Sequence, residues 1–331
     1  MKAPFSPAPV RLRGLAVVGL VSTATLVLAG CSAGGSGDAG GSTDAAAREP
    51  VAVATTTQLG SVLEDITACA GAGSATIMGP GDDPHDFSPS SRQVAEMTRA
   101  ELVVSNGLDL EAGMQTALDN AEADGARLFE VAPMVEPLPF AEHDGHSGAG
   151  HDHAHGGEDP HFWMDASRMA QAAELIGAEL AEITGDEQYA ECAAQTSAEL
   201  EDVHTEIRDL LASIPEDRRT LVTDHAAYNY FADAYGLEIA GVVVPGGSTD
   251  AEPSSEQLAV LTEQIQAEGA DALVTSAGGA NSLIEALSAE TDGEVPVVEL
   301  YEGGLGPEGS GAQAYADAML LNASTLAEAL Q

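Results

Sequence analysis

Lysine is almost absent from this chain of 331 residues: Lys2 is the only one, and Lys plus Arg total 11 against 54 acids. The formal net charge is −43. A surface of that sign repels polyanions, which excludes nucleic acid and anionic lipid as charge-driven partners. It attracts cations in general, but a diffuse attraction does not make a site. Cysteine is scarce too, with only Cys31, Cys69 and Cys192, and neither a CxxC spacing nor a neighbouring histidine stands beside Cys69 or Cys192. A metal site built on those two thiols is thereby excluded. No HExxH motif is present, so the usual helical zinc-protease arrangement is missing as well.

What is there begins with a targeting segment. Lys2, Arg11 and Arg13 precede the apolar run Leu15–Leu28, which is short of the roughly 20 residues a membrane span needs. The run ends in Leu28-Ala29-Gly30-Cys31, which resembles the lipobox of bacterial lipoproteins, with Cys31 as the lipidation site. An ordinary signal peptide with an incidental cysteine is the alternative. The cysteine stands where cleavage is expected, however, and a tether rich in Gly, Ser, Ala and Asp follows from Ser32 to Ala47. The organisation expected is a signal peptide at 1–30, a lipidated cysteine and linker at 31–49, a first lobe at 50–185, a linking helix at 186–214 and a second lobe at 215–331. Outside the membrane a Cys69–Cys192 disulfide is permitted, though spacing does not prove it. If formed, it closes a loop of more than a hundred residues, a gain of about 4–5 kcal/mol in the chain-entropy picture.

From residue 51 short apolar runs alternate with amphipathic stretches. Strands are expected at 51–55, 75–78, 102–105 and 127–131, with helices at 59–70, 92–100 and 108–121 between them. Helices follow at 166–183 and 186–214, separated by Gly185. After Pro215 strands at 220–223, 239–244, 272–275 and 295–300 alternate with helices at 226–235, 254–268, 281–290 and 312–330. The fold class expected is α/β: two βα lobes, each with a mainly parallel sheet, joined by a single long helix. Ligands of such sheets bind beyond the carboxyl ends of the strands, which puts the site at the lobe interface.

Histidine placement carries the chemistry. Asp-Pro-His occurs twice, ending in His85 and His161, and His225 follows Thr223-Asp224 at the end of an expected strand. The proline stiffens the support of each imidazole, and the aspartate two residues before it is placed to accept the other ring N–H. Three imidazoles suit Zn²⁺, Cu²⁺, Ni²⁺ or Fe²⁺ rather than Mg²⁺ or Ca²⁺. Five more histidines, His143, His146, His151, His153 and His155, crowd a low-complexity insertion at 142–158. They form an auxiliary metal loop or bind transition metals opportunistically. His204 reads as a helix-surface residue, and Trp163, the only tryptophan, as packing beside His161.

Five segments resemble the metal-specific solute-binding proteins of zinc and manganese ABC transporters (cluster A-I, also called cluster 9), in their zinc branch. They are PGDDPHDFSPSS (Pro80–Ser91), AELVVSNG (Ala100–Gly107), DPHFWMD (Asp159–Asp165), TDHAAYNYF (Thr223–Phe231) and AEPSS (Ala251–Ser255). The resemblance covers the chain after the linker and implies His85, His161 and His225 as metal ligands. Manganese members usually carry a carboxylate at the third position, so His225 points to zinc. Members often place an acid in the loop after the last strand; here Gly303 stands at that position and Glu302 comes one residue early. Either Glu302 or a water completes the tetrahedron. The resemblance also implies a monomeric, non-enzymatic receptor whose lobes move little. It would be membrane-anchored through Cys31, carry Zn²⁺ as its transported ligand and deliver it to an ABC permease. A receptor for Mn²⁺ or another divalent ion, or a metal-binding adhesin, fits the same resemblance. A zinc hydrolase would need a positioned general base as well.

Overall fold

Strands β1 (Ala52–Ala54) and β3 (Leu102–Ser105) have every residue buried, as parallel strands covered on both faces require. They form the centre of a parallel sheet in the order β2-β1-β3-β4, with β2 at Ser74–Thr76 and β4 at Arg127–Glu130. The second sheet repeats that order as β6-β5-β7-β8, again all parallel, with β5 at Thr220–His225, β6 at Glu238–Val244, β7 at Ala272–Ser276 and β8 at Val297–Leu300. The computed structural model describes residues 50–140, 157–244, 259, 261–263, 265, 269–278, 282–290 and 295–331. These belong to one compact unit, Ala46–Gln331.

The helices start where the sequence offers caps. Thr56 caps α1 (Thr57–Cys69), and Ser90 forms a capping box with Gln93 at the start of α2 (Ser91–Arg99). Asp165 caps α4 (Ala166–Thr184) through the Ser167 N–H. Gly185 ends that helix at φ 72°, in the left-handed region where glycine carries no Cβ penalty. The chain then turns back as α5 (Gln188–Leu211), the long helix leading to the second sheet. At the crossing of α4 and α5 the backbones come so close that a Cβ on Gly177 would lie 2.1 Å from that of Ala193. One apolar cluster runs from β1 and β3 through α1, α4 and α5 to the second sheet and the last helix; it includes Leu63, Val104, Ile176, Ile207, Leu221 and Leu326.

Two expected helices are shorter than their apolar pattern suggests. The stretch at 108–121 begins with Leu108 at φ 53° and Asp109 at φ 60°, which no right-handed helix accepts. A 3-10 turn, Ala112–Met114, follows, and α3 spans only Gln115–Ala123. Likewise α6 is Asn229–Tyr235, because residues 226–228 are used in leaving β5. Helices α7 (Ser282–Glu290) and α8 (Tyr315–Ala329) complete the second lobe. Of the stretch at 254–268, only residues 259, 261–263 and 265 are described as helical, and Leu261 and Ile265 pack on Val222 and Leu273.

Cys69, at the end of α1, is bonded to Cys192 in α5 across 123 residues of sequence. The bridge fastens the linking helix to the first lobe. Replacing both cysteines with serine is expected to lower unfolding stability by about 2–5 kcal/mol, measured by denaturant titration of the oxidised protein and the variant.

Candidate metal centre

In both sheets the strand order reverses between the first and third strands, the place where ligands of such sheets bind beyond the carboxyl ends. His225 is the last residue of β5 and is 3% exposed. His161, fully buried, lies between Pro160 and the 3-10 turn Phe162–Met164. His85 is half-buried in the turn after β2, where Asp83 Oδ1 accepts its backbone N–H at 2.9 Å. Ligand atoms of the three imidazoles lie within 4.8 Å of one another. His85 Nε2 and His161 Nε2 are 3.3 Å apart. Ligands held about 2.0–2.1 Å from a tetrahedral ion stand roughly 3.3–3.4 Å from each other, so this separation suits a shared ion.

The other ring nitrogens of His161 and His225 face carboxylates. Asp159 Oδ1 lies 2.7 Å from His161 Nδ1, and Asp224 Oδ1 lies 2.8 Å from His225 Nδ1. With each Nδ1–H donated to its aspartate, each Nε2 is turned to the centre. Asp159 is the partner expected two residues before its histidine. For His225 the partner is the residue immediately before it.

Glu302 lies beside the three imidazoles. It stands one residue before Gly303: Gly303 meets no neighbouring atom at its Cβ position, while Glu302 is 1% exposed. Its Oε1 lies 3.9 Å from His161 Nε2 and its Oε2 3.5 Å from His225 Nε2. Both Glu302 Oε1 and His225 Nε2 are buried without a hydrogen-bond partner among the described residues, a costly arrangement unless an ion joins them. The Glu302 carbonyl accepts from Gln58 Nε2 at 2.8 Å and Trp163 Nε1 at 2.9 Å, both from the first lobe. Leu305 N–H donates to Thr57 Oγ1 at 2.9 Å beside them.

The electrostatics follow from this crowding. Burial and the neighbouring His161 push the His85 pKa down to about 4. Burial also opposes charge on His225, but the Glu302 charge and the Asp224 hydrogen bond outweigh it and hold that ring well above 6.5. Burial alone would raise the Glu302 pKa; His225 reverses this and takes it down to about 2. The Tyr228 phenol, buried and beside the charges of Asp224 and Glu302, is held well above 10 and stays a neutral donor.

Several supports had no sequence signal. Glu111, buried, accepts from Thr55 Oγ1 and from the Asn106 and Gly107 N–H groups, and Asn106 Nδ2 in turn donates to the Pro160 carbonyl next to His161. Tyr230 OH donates to the Asp159 carbonyl at 2.7 Å. His204 is not a free surface residue: it is half-buried, with Nδ1 3.3 Å from Tyr235 OH and 3.4 Å from Asp165 Oδ1, away from the centre. Cys31, the segment Ala251–Ser255 and the histidines at 143, 146, 151, 153 and 155 lie outside the described residues. Pro139, three residues before that histidine-rich insertion, pairs with Glu158, its last residue, just before Asp159.

The family model described as ZnuA, zinc-uptake complex component A, periplasmic, matches residues 52–329. The chain belongs to this family. It is thus a metal-binding receptor of the ABC-transporter class, working outside the cytoplasm, and not an enzyme. It is 28% identical over 315 residues to the manganese-binding lipoprotein MntA of Halalkalibacterium halodurans, covering 94% of this chain and 97% of that one. It is 27% identical over 301 residues to the zinc-binding protein TroA of Treponema pallidum, covering 88% and 92%. The solved structure of periplasmic zinc-binding protein TroA from Treponema pallidum superposes with a TM-score of 0.72 at 24% identity, over 85% of this chain and 99% of that chain. Relatives named for manganese and for zinc stand at nearly equal distance, so kinship alone does not choose the metal. No described helix is long and apolar enough to cross a membrane.

Proposed function

We propose that this chain captures Zn²⁺ with His85, His161, His225 and Glu302 and hands it to the permease of an ABC importer. The observation that supports the reading is three imidazoles whose ligand atoms lie within 4.8 Å of one another, with the buried Glu302 carboxylate 3.9 and 3.5 Å from two of them. Three nitrogens and a single carboxylate favour zinc; manganese is better served by oxygen-rich sets. In this account residues 1–30 are removed, lipid on Cys31 anchors a monomeric protein, and 31–49 tether the lobes at 50–185 and 215–331, joined by the helix at 186–214. The histidine-rich segment at 142–158 gathers zinc weakly as an auxiliary site.

Competition between Zn²⁺ and Mn²⁺ on the purified full chain, followed through Trp163 emission, tests the assignment. Trp163 is buried, with its ring 5.2 Å from that of His161, so an ion on His161 alters its surroundings. One tight site preferring zinc is expected, and a tight preference for manganese would sink the assignment. The pH dependence has a definite sign. His225 holds its proton above 6.5 in the ion-free protein, and the metal must displace it. Zinc affinity therefore rises with pH through neutrality as the proton on His225 is released to the solvent. His85, at about 4, competes only in acid. An affinity that stays flat between about pH 6.5 and 7.5 contradicts this.

Deleting residues 143–155 separates the two kinds of binding. The tight site is expected to survive while additional weak zinc equivalents disappear from equilibrium dialysis. Loss of all tight binding would show that the insertion is part of the primary site.

A further inference from the structure

Ser276 ends β7, the strand beside β5 at the reversal of strand order, and it bonds to Glu302 and to Asp224, the partner of His225. Its backbone N–H donates to Asp224 Oδ2 at 2.9 Å, and Thr275 Oγ1 donates to the same oxygen at 2.8 Å. The other oxygen of Asp224 holds the His225 ring. The Ser276 hydroxyl donates to Glu302 Oε2 at 2.8 Å. The two oxygens of Glu302 are therefore unequal. Oε2 carries the Ser276 bond and lies 3.5 Å from His225 Nε2. Oε1 is buried with no hydrogen-bond partner among the described residues. The Glu302 backbone is already fixed by Gln58 and Trp163. Rotation of the carboxylate is the freedom left to it, and the Ser276 hydroxyl removes that freedom.

We propose that Ser276 is a specificity-determining positioning residue: by holding Oε2 it presents Glu302 to the ion through Oε1 alone, limits the shell to four ligands and favours Zn²⁺ over Mn²⁺. The proposal rests on the metal-receptor assignment above. A carboxylate that chelates through both oxygens adds a fifth ligand, and manganese sites are octahedral and oxygen-rich. Zinc has no d-electron preference and is satisfied by a tetrahedron of nitrogen and oxygen. An oxygen already accepting a hydrogen bond is the poorer donor to a metal, so the bond to Ser276 biases the carboxylate towards a single contact. The backbone N–H of Ser276 acts in parallel, since Asp224 sets the direction of the His225 lone pair.

The test compares the full-length protein with Ser276→Ala and Ser276→Thr. Zinc and manganese affinities come from chelator competition, and the visible absorption of the Co²⁺ form reports coordination number, being intense for four ligands and weak for five or six. Ser276→Ala is expected to lose zinc affinity by about 10–100-fold, the range for removing an outer hydrogen-bond partner of a ligand. Manganese affinity falls less, so the ratio between the metals narrows, and the cobalt bands weaken. Ser276→Thr, which keeps the hydroxyl, retains the wild-type ratio and spectrum. Two results would overturn the proposal while leaving the receptor assignment intact: a Ser276→Ala protein with the wild-type ratio and cobalt spectrum, or one that loses both metals equally with an unchanged spectrum. Failure of the wild type to bind any ion tightly would overturn both.

Discussion

The charge on Glu302 sits at the bottom of the lobe junction, and the surrounding residues are arranged around it. An ionised carboxylate taken out of water costs several kcal/mol unless partners replace the lost solvent. Here His225 at 3.5 Å and the Ser276 hydroxyl at 2.8 Å offset part of that cost. They leave Oε1 buried without a hydrogen-bond partner among the described residues, 3.9 Å from His161 Nε2. Asp159 and Asp224 hold the far sides of the His161 and His225 rings, so their Nε2 atoms are directed to the centre before any ion arrives. Pre-set donors of this kind spend little ordering entropy at binding.

That arrangement depends on two lobes that keep their register. Glu302 belongs to the second lobe by sequence, yet its carbonyl is gripped by Gln58 and Trp163 of the first. A continuous apolar core, the α4–α5 crossing and the Cys69–Cys192 bridge hold the halves in place behind it. Wide hinge opening would break the core, whereas the loop at 302–305 is held across the junction by a few hydrogen bonds. On the proposed function, release of an ion would be a matter of freeing that loop.

Much of this was legible in the residues. The two Asp-Pro-His triplets and the Thr-Asp-His at a strand end marked the three imidazoles, and the alternation of apolar runs marked two parallel sheets. The Glu302 side chain was harder, because its position is one residue early in a glycine-rich loop and only the folded backbone shows which way it turns. Ser276 lies in Ser-Ala-Gly-Gly, which reads as an ordinary turn; its place beside β5 depends on strand order, which pattern does not reveal. Leu108 and Asp109 looked helical because their apolar neighbours have helical spacing, but Glu111 draws the chain back onto Asn106 and Gly107 and the left-handed turn wins. Contacts such as Gln58 to Glu302, 244 residues apart, carry no local signal at all.

The most direct test of the central claim is X-ray absorption at the zinc edge of the loaded full-length protein, alongside His225→Ala and Glu302→Ala. The account predicts a four-coordinate shell of three imidazole nitrogens and one oxygen at about 2.0–2.1 Å. One imidazole should vanish in the first variant, and the carboxylate oxygen should be replaced or lost in the second. A wild-type shell with five or six ligands, or one unchanged by either substitution, would contradict it.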